Sequence, residues 1–364
     1  MLTMDSQYAI TPEKEASKAQ YFYRQLLVTP RALPRSEVDL TGKTALITGA
    51  STGLGLETAR QLLDLGLSKL IIAVRDIQKG EAARDSLLRD RPQHGSLATC
   101  EVDVWNVDLA VYGSIQQMAE RARKLDRLDI VILNAGVFKA SETFNPDTGY
   151  ENSIQVNFLS NALLLLFMTR ILKTKAPGPS PGRLVLVSSD TAAWAQFKER
   201  DIIPLLAAFK QGATRTTGAV VNWNMQERYA TSKLLGQIFL TELANRIPGH
   251  VVTIVAANPG FCYGTELGRE GKMFPLLNLF VRAVTRILGR SCVLGARVLV
   301  HAACGFADEL ENVHGQYVED GEIRPKAPII YKIEGERIAK RLWEETLSEL
   351  AFAGVEECIQ ELVE

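Results

Sequence analysis

The feature that most restricts this chain is a series of six short apolar runs. They are "KTALITG" (43–49), "KLIIAVR" (69–75), "LATCEVD" (97–103), "DIVILNA" (129–135), "RLVLVSS" (183–189) and "VVTIVAAN" (251–258). Most of their apolar residues follow one another instead of alternating with polar ones, as in strands buried on both faces. Between the runs lie helical patterns, among them "GLGLETARQLLDLG", "IQKGEAARDSLLRD" and residues 112–124. Strand–helix alternation of this kind predicts a parallel sheet with right-handed crossovers. The expected fold class is therefore α/β, a Rossmann-type doubly wound sheet in a single domain, with its ligand outside the carboxyl ends of the strands.

Around this unit we expect an extension at 1–38 with one helix at about 14–27, a cofactor-binding catalytic domain at 39–325, and a helical tail at 326–364. The tail's Ile338, Leu342, Trp343, Leu347 and Leu350 are expected to cap the domain. "ALLLLFM" (162–168) reads as a buried helix, too short to cross a bilayer. "FPLLNLFVRAVTRILG" (274–289) is amphipathic; packing on its own protein is expected, with a membrane surface as the alternative.

Charge narrows the partners. Lys and Arg number 41 against 42 Asp and Glu, so no basic field exists to hold nucleic acid. Five scattered cysteines without a CxxC pair, and only four histidines, suggest neither a metal site nor a disulfide framework. A reducing, cytoplasmic setting fits this usage. The first twenty residues contain no secretory apolar stretch.

"TGASTGLG" (48–55) joins the first strand to the first helix. Gly49, Gly53 and Gly55, with Ser51, Thr52 and Leu54 between them, fall where a chain must turn tightly and offer backbone amides to a pyrophosphate. The second strand ends in Arg75 rather than in an acidic residue. A guanidinium there suits a 2′-phosphate, and Lys79 adds a second charge, so NADP(H) is preferred over NAD(H). Asp76 is expected to point away. Thr52 stands where a further basic residue would strengthen the preference.

"YATSK" (229–233) places Tyr229 and Lys233 on one helix face. Together with "TGASTGLG", "DL" (108–109), "NAG" (134–136), "VN" (156–157), "VSS" (187–189) and "NPG" (258–260), all in order, it resembles the short-chain dehydrogenase/reductase family over residues 40 to 320. The whole layout looks most like the larger, retinol-dehydrogenase-like members, several of them in fungal secondary metabolism. The resemblance implies that Tyr229 is the proton donor and that Lys233 lowers its pKa and binds ribose. It favours Ser189 for orienting the carbonyl, with Ser188 as the other candidate because the long gap to Tyr229 leaves the register open, and Asn157 would anchor a proton relay. Asp108 and Leu109 resemble the adenine-contacting pair, with Asp103 as an alternative. Asn134, Ala135 and Gly136 resemble the turn beside the cofactor, and Pro259 and Gly260 the segment closing over nicotinamide. Thr265 stands one place later than the threonine of that segment.

The leading expectation is an NADPH-dependent carbonyl reductase, or the reverse alcohol oxidation, acting on a small molecule. Two alternatives stand beside it: a cofactor-binding regulator without turnover, and a biosynthetic enzyme using the fold for a non-redox step. A homo-oligomer formed through the "VN" and "YATSK" helices would follow the family. The 39 residues between Ser189 and Tyr229 carry "IIPLLAAF" (202–209) with Trp194, Phe197 and Trp223 nearby. They are expected to form a short helix walling an apolar substrate pocket that favours bulky, largely hydrophobic carbonyl compounds; the alternative is that they pack on the N-terminal extension and never meet substrate.

Overall fold

The computed structural model describes residues 8–89, 100–178, 180–213, 222–267, 285–307 and 309–363. All six apolar runs contribute strands: β1 (Thr44–Thr48), β2 (Lys69–Val74), β3 (Glu101–Asn106), β4 (Ile130–Leu133), β5 (Gly182–Val187) and β6 (Val252–Asn258). Two short strands, β7 (Tyr317–Glu319) and β8 (Glu322–Arg324), extend the sheet. Its order is β8-β7-β6-β5-β4-β1-β2-β3. Every neighbouring pair is parallel except β7 with β8. The order reverses between β1 and β4, which opens a crevice at their carboxyl ends.

Alternate strand residues feed two cores. Leu46, Ile71, Val131, Leu184 and Ile254 face one, with helices α4 (Tyr112–Arg123), α5 (Asn152–Lys175) and α6 (Met225–Ala244). Ala45, Ile72, Ile132, Val185 and Val255 face the other, with α2 (Gly53–Asp64), α3 (Ile77–Arg89) and α7 (Cys292–Cys304). The period-2 direction of strand side chains thus fills both layers from one run of apolar residues.

Two expectations need correction, and a third, the buried helix at "ALLLLFM", is met within a longer helix. The third strand runs from 101 to 106 rather than 97 to 103, because register against β2 continues from Lys69↔Glu101 to Val74↔Asn106 and buries Trp105; residues 97–99 lie outside the described ones. The helix at 14–27 is two pieces, a turn at Pro12–Glu15 and α1 (Lys18–Leu27), restarted at Ser17, whose hydroxyl caps Gln20 N–H. "ALLLLFM" belongs to α5, which is long and apolar enough to cross a membrane, yet 89% of its most apolar stretch is buried inside the protein. Most of 274–289 falls among residues 268–284, outside the described ones.

After β8 the chain returns over the first core as α8 (Ile333–Glu349) and α9 (Val355–Val363). Ile338, Leu342, Trp343 and Leu350 are buried there, with Leu347 packed partly buried against them. Trp343 stacks on Phe239 of α6 at 5.0 Å between centroids.

Candidate active site

A cleft of about 1470 Å³ follows the carboxyl ends of β1, β2, β4, β5 and β6. It exceeds the volume of a pocket for one drug-sized molecule, roughly 300–1,000 Å³. Its two halves are built differently.

In the first half, the glycine loop turns sharply. Gly49 has φ +70°, and a Cβ on Gly55 would lie 2.5 Å from the Gly49 carbonyl, so the start of α2 packs on the loop backbone only because Gly55 has no side chain. Thr52 makes no side-chain cap at this helix start, leaving its first-turn amides for a ligand. Asn134 Nδ2 donates to the Thr48 and Gly49 carbonyls, both at 3.0 Å, and Thr48 Oγ1 accepts the Ala135 N–H at 3.1 Å. This turn therefore locks β4 to the loop. Ser51, Thr52, Leu54, Leu109, Ala135 and Gly136 line the same cavity.

Arg75 is exposed at the mouth of this half, and its guanidinium meets no carboxylate among the described residues. Asp76 lines the cleft as well, while its carboxylate accepts Lys79 N–H at 3.1 Å and so is held at the start of α3. Lys79 Nζ lies 3.4 Å from Glu266. Asp108 lines the cavity and accepts Ala110 N–H at 2.9 Å. The alternative, Asp103, pairs instead with Lys69 on the sheet and does not line the cleft. The chain after β6 crosses the loop: a Cβ on Gly53 would come within 3.1 Å of Thr265 Cα. Thr265 thus sits over the glycine loop.

The second half gathers Tyr229, Lys233, Ser189 and Asn157. Tyr229 and Lys233 both rise from α6, with Nζ 5.7 Å from the phenol ring centre. The Ser189 hydroxyl stands near enough to the Tyr229 phenol to pull its pKa down, and it accepts Thr191 N–H and Oγ1–H at 3.3 and 3.0 Å. Ser188 turns the other way, accepting a bond from Gln237 Nε2 at 3.0 Å. Strand alternation separates the two serines as expected.

Asn157 lies in a π-helical turn, Gln155–Leu159, inside α5. Such turns widen the helix and recur at functional sites. Its amide is fixed from both ends: Oδ1 accepts Val137 N–H, and Nδ2 donates to Val137 O, each at 2.8 Å, and to Ser232 Oγ at 3.0 Å. A Cβ on Gly136 would lie 3.1 Å from Asn157 Oδ1 and 3.7 Å from Lys233 Nζ, so a bare glycine keeps both groups accessible.

The electrostatics depart from expectation. Burial pushes the Tyr229 phenol up to about 12, and the bond to Ser189 only partly opposes it. Burial also pulls the Lys233 ammonium down to about 8. Lys233 Nζ donates to the Val187 carbonyl at 2.9 Å rather than to the phenol. Desolvation therefore outweighs the expected lowering of the tyrosine by the lysine.

The segment after Ser189 also differs from expectation. It forms three short 3-10 turns, Asp190–Trp194, Lys198–Asp201 and Leu206–Phe209; residues 214–221 lie outside the described ones. Phe197, Leu205, Leu206 and Phe209 are buried in the first core, away from the cleft. Glu345 of α8 accepts Leu205 and Leu206 N–H at 2.8 and 2.7 Å, and Arg228 pairs with buried Glu199 at 2.9 Å. What this segment offers to the cleft is Trp194 amid polar groups such as Gln196, Lys198 and Asn224. The apolar residues fill the space beneath α8, so they do not form the expected apolar wall.

Two contributors carry no motif. Phe138, just after "NAG", meets Tyr229 edge-on at 5.0 Å. Lys18 and Tyr21, from α1, line the cleft beside Trp194. Proximity to a motif could have flagged Phe138; nothing local flags α1.

Comparison with known proteins agrees with this architecture. Residues 43–199 match the short chain dehydrogenase family. The short-chain dehydrogenase fogG of Aspergillus ruber is 51% identical over 98% of both chains. The short chain dehydrogenase/reductase mfmJ of Annulohypoxylon moriforme is 38% identical over 94% of both. Among solved structures, the Pseudomonas aeruginosa RhlG/NADP complex superposes with TM-score 0.54 at 20% identity, covering 77% of this chain and 95% of that one; it supports the fold alone. The chain belongs to the short-chain dehydrogenase/reductase family of oxidoreductases, and its curated relatives named here are fungal.

Proposed function

We propose that the protein is an NADPH-dependent carbonyl reductase of fungal secondary metabolism, acting on a small-molecule carbonyl compound. The observation that carries this reading is the convergence of Ser189, Tyr229, Lys233 and Asn157 at one end of a cleft whose other end presents a glycine loop and a free Arg75.

The residues present fit a phosphorylated dinucleotide. Uncapped amides at the start of α2 and the close-packed Gly49 and Gly55 would hold its pyrophosphate, Asp108 and Leu109 would border its adenine, and Arg75 with Lys79 would receive the 2′-phosphate. Pro259 and Gly260 would border the nicotinamide end. When bound, the cofactor supplies hydride. Ser189 donates to the substrate oxygen and orients it. Tyr229, protonated at neutral pH like any phenol and kept so by burial, gives its proton to that oxygen as negative charge develops there. Lys233 stabilises the resulting phenolate and would bond a ribose hydroxyl. Asn157, held rigid by Val137 and Ser232, supports proton resupply toward Lys233.

Tyr229→Phe tests the reading. The ring keeps its packing on Phe138, so NADPH affinity measured by fluorescence should change less than about twofold. Turnover of phenanthrenequinone should fall by about 10²–10⁴-fold, the usual worth of a general acid. Near-wild-type rates in the variant would falsify the mechanism.

A further inference from the structure

Helix α1 has one face turned to the active site. Lys18, Tyr21 and Gln25 recur at i, i+3 and i+7. Lys18 Nζ lies 3.0 Å above the ring of Trp194, and Tyr21 meets the same ring edge-on at 5.0 Å and 82°. Trp194 Nε1 closes the contact by donating to the Ala16 carbonyl at 2.8 Å. At the other end of the face, the Gln25 amide clasps the chain after β6. Its Oε1 accepts Phe261 N–H at 3.0 Å, while Nε2 donates to Phe261 O at 3.0 Å and Leu288 O at 3.1 Å.

The helix is fixed in place from beneath. Buried Arg24 pairs with Asp190 at 2.9 Å, with Glu319 at 3.0 Å, and with Glu15. Arg290, itself paired with Asp320, donates to the Arg24 carbonyl at 2.6 Å. Asp190 directly follows Ser189, and Phe261 directly follows Gly260. The helix therefore touches the chain immediately beyond the catalytic serine and immediately beyond the nicotinamide-side turn. An appendage lying elsewhere on the surface would touch neither.

We propose that α1 is the outer wall of the substrate site, with Tyr21 as a specificity-determining residue and Gln25 as a positioning residue for Pro259–Cys262. Tyr21 and Trp194 pack against each other at near right angles and both line the cleft that holds Ser189. An extended aromatic substrate reaches them with the part remote from its carbonyl; a small one does not. Gln25 touches neither substrate nor cofactor and acts through the Phe261 backbone. The inference rests on the reductase reading above.

Kinetics with phenanthrenequinone and with butanedione, each with NADPH, test it in the full chain. Tyr21→Ala should raise KM for phenanthrenequinone about tenfold, as expected for loss of an aromatic contact, while KM for butanedione and NADPH stays within about twofold. Gln25→Leu should lower kcat for both diones about tenfold per folded molecule, with KM for each dione little changed. If Gln25→Leu does not fold, Gln25→Glu reads the same quantity, since it keeps an acceptor for Phe261 N–H and loses both donated bonds. Equal KM shifts for both diones in Tyr21→Ala, or none, would overturn the wall. A lowered melting midpoint with unchanged kcat in the Gln25 variant would leave that residue merely structural. The Tyr229→Phe control separates the two levels: an active control sinks the reductase reading, whereas an inactive control with an unshifted Tyr21→Ala sinks only this inference.

Discussion

The two halves of the cleft are made of different kinds of sequence. The cofactor half is built around a local motif: a strand, its following loop and the next helix supply Gly49, Gly53 and Gly55 within seven positions. The substrate half is assembled at long range. Tyr21 comes from the first described helix, Phe138 from the loop after β4, Trp194 from the excursion after β5, and Tyr229 from α6. A site meant to hold one constant ligand can be a compact motif, whereas a site for a particular substrate can vary if its parts come from separate segments. The charge arrangement differs too. Arg75 stays exposed, with no carboxylate partner among the described residues, whereas Arg24 is buried among carboxylates that serve only the protein.

Changes confined to one half should sharpen this contrast. The largest expected effect is on stability: Phe209→Ala, in the excursion but turned from the cleft, should cost about 3–5 kcal/mol by leaving a cavity in the core. Denaturant unfolding reads it, and kcat per folded molecule should not move; a raised substrate KM instead would return this residue to the pocket. Next comes Lys233→Met, at the meeting of the halves, expected to lower kcat/KM by about a hundredfold or more. Its pH profile carries the sign. Lys233 loses its proton near 8 in the free enzyme, so wild-type reductive kcat/KM should hold below that pH and fall as pH rises through it. The variant's profile should be flat there, and a wild-type profile unchanged to pH 10 would break the assignment. The smallest effect belongs to Arg75→Ala. It should weaken NADPH binding by about 1.5–3 kcal/mol, roughly tenfold to over a hundredfold, and leave NADH nearly untouched. Equal losses by titration calorimetry would remove the cofactor preference.

The same contrast explains what could be read from sequence. The strands, the glycine loop, "NAG" and the Tyr229–Lys233 pair declare themselves because period, turn chemistry and helical spacing act over a few residues. Strand alternation foretold that Ser188 and Ser189 face opposite ways, as Gln237 beneath Ser188 illustrates, but not which of them serves the reaction. The excursion showed only that Leu205, Leu206 and Phe209 needed burial. Sequence could not say that α8, more than a hundred positions later, would cover them. β3 slid by several residues because pairing with β2, not local apolarity, sets its ends. Desolvation at Tyr229 and Lys233 depends on the surrounding packing, so the direction of the phenol's shift was beyond any motif.

The buried charges under α1 bear on the order in which the molecule is made. Tyr8 bonds Gln316 across 308 positions, and Arg24 awaits Glu319 near the far end of the chain. A growing polypeptide can complete β1, α2 and β2, and with them the glycine loop, while its first helix still lacks these partners. Contacts so distant in sequence are slow to form, although the entropy of closing so long a loop rises only slowly with its length. During synthesis the glycine loop can thus take shape before the surface that selects what the cofactor will meet.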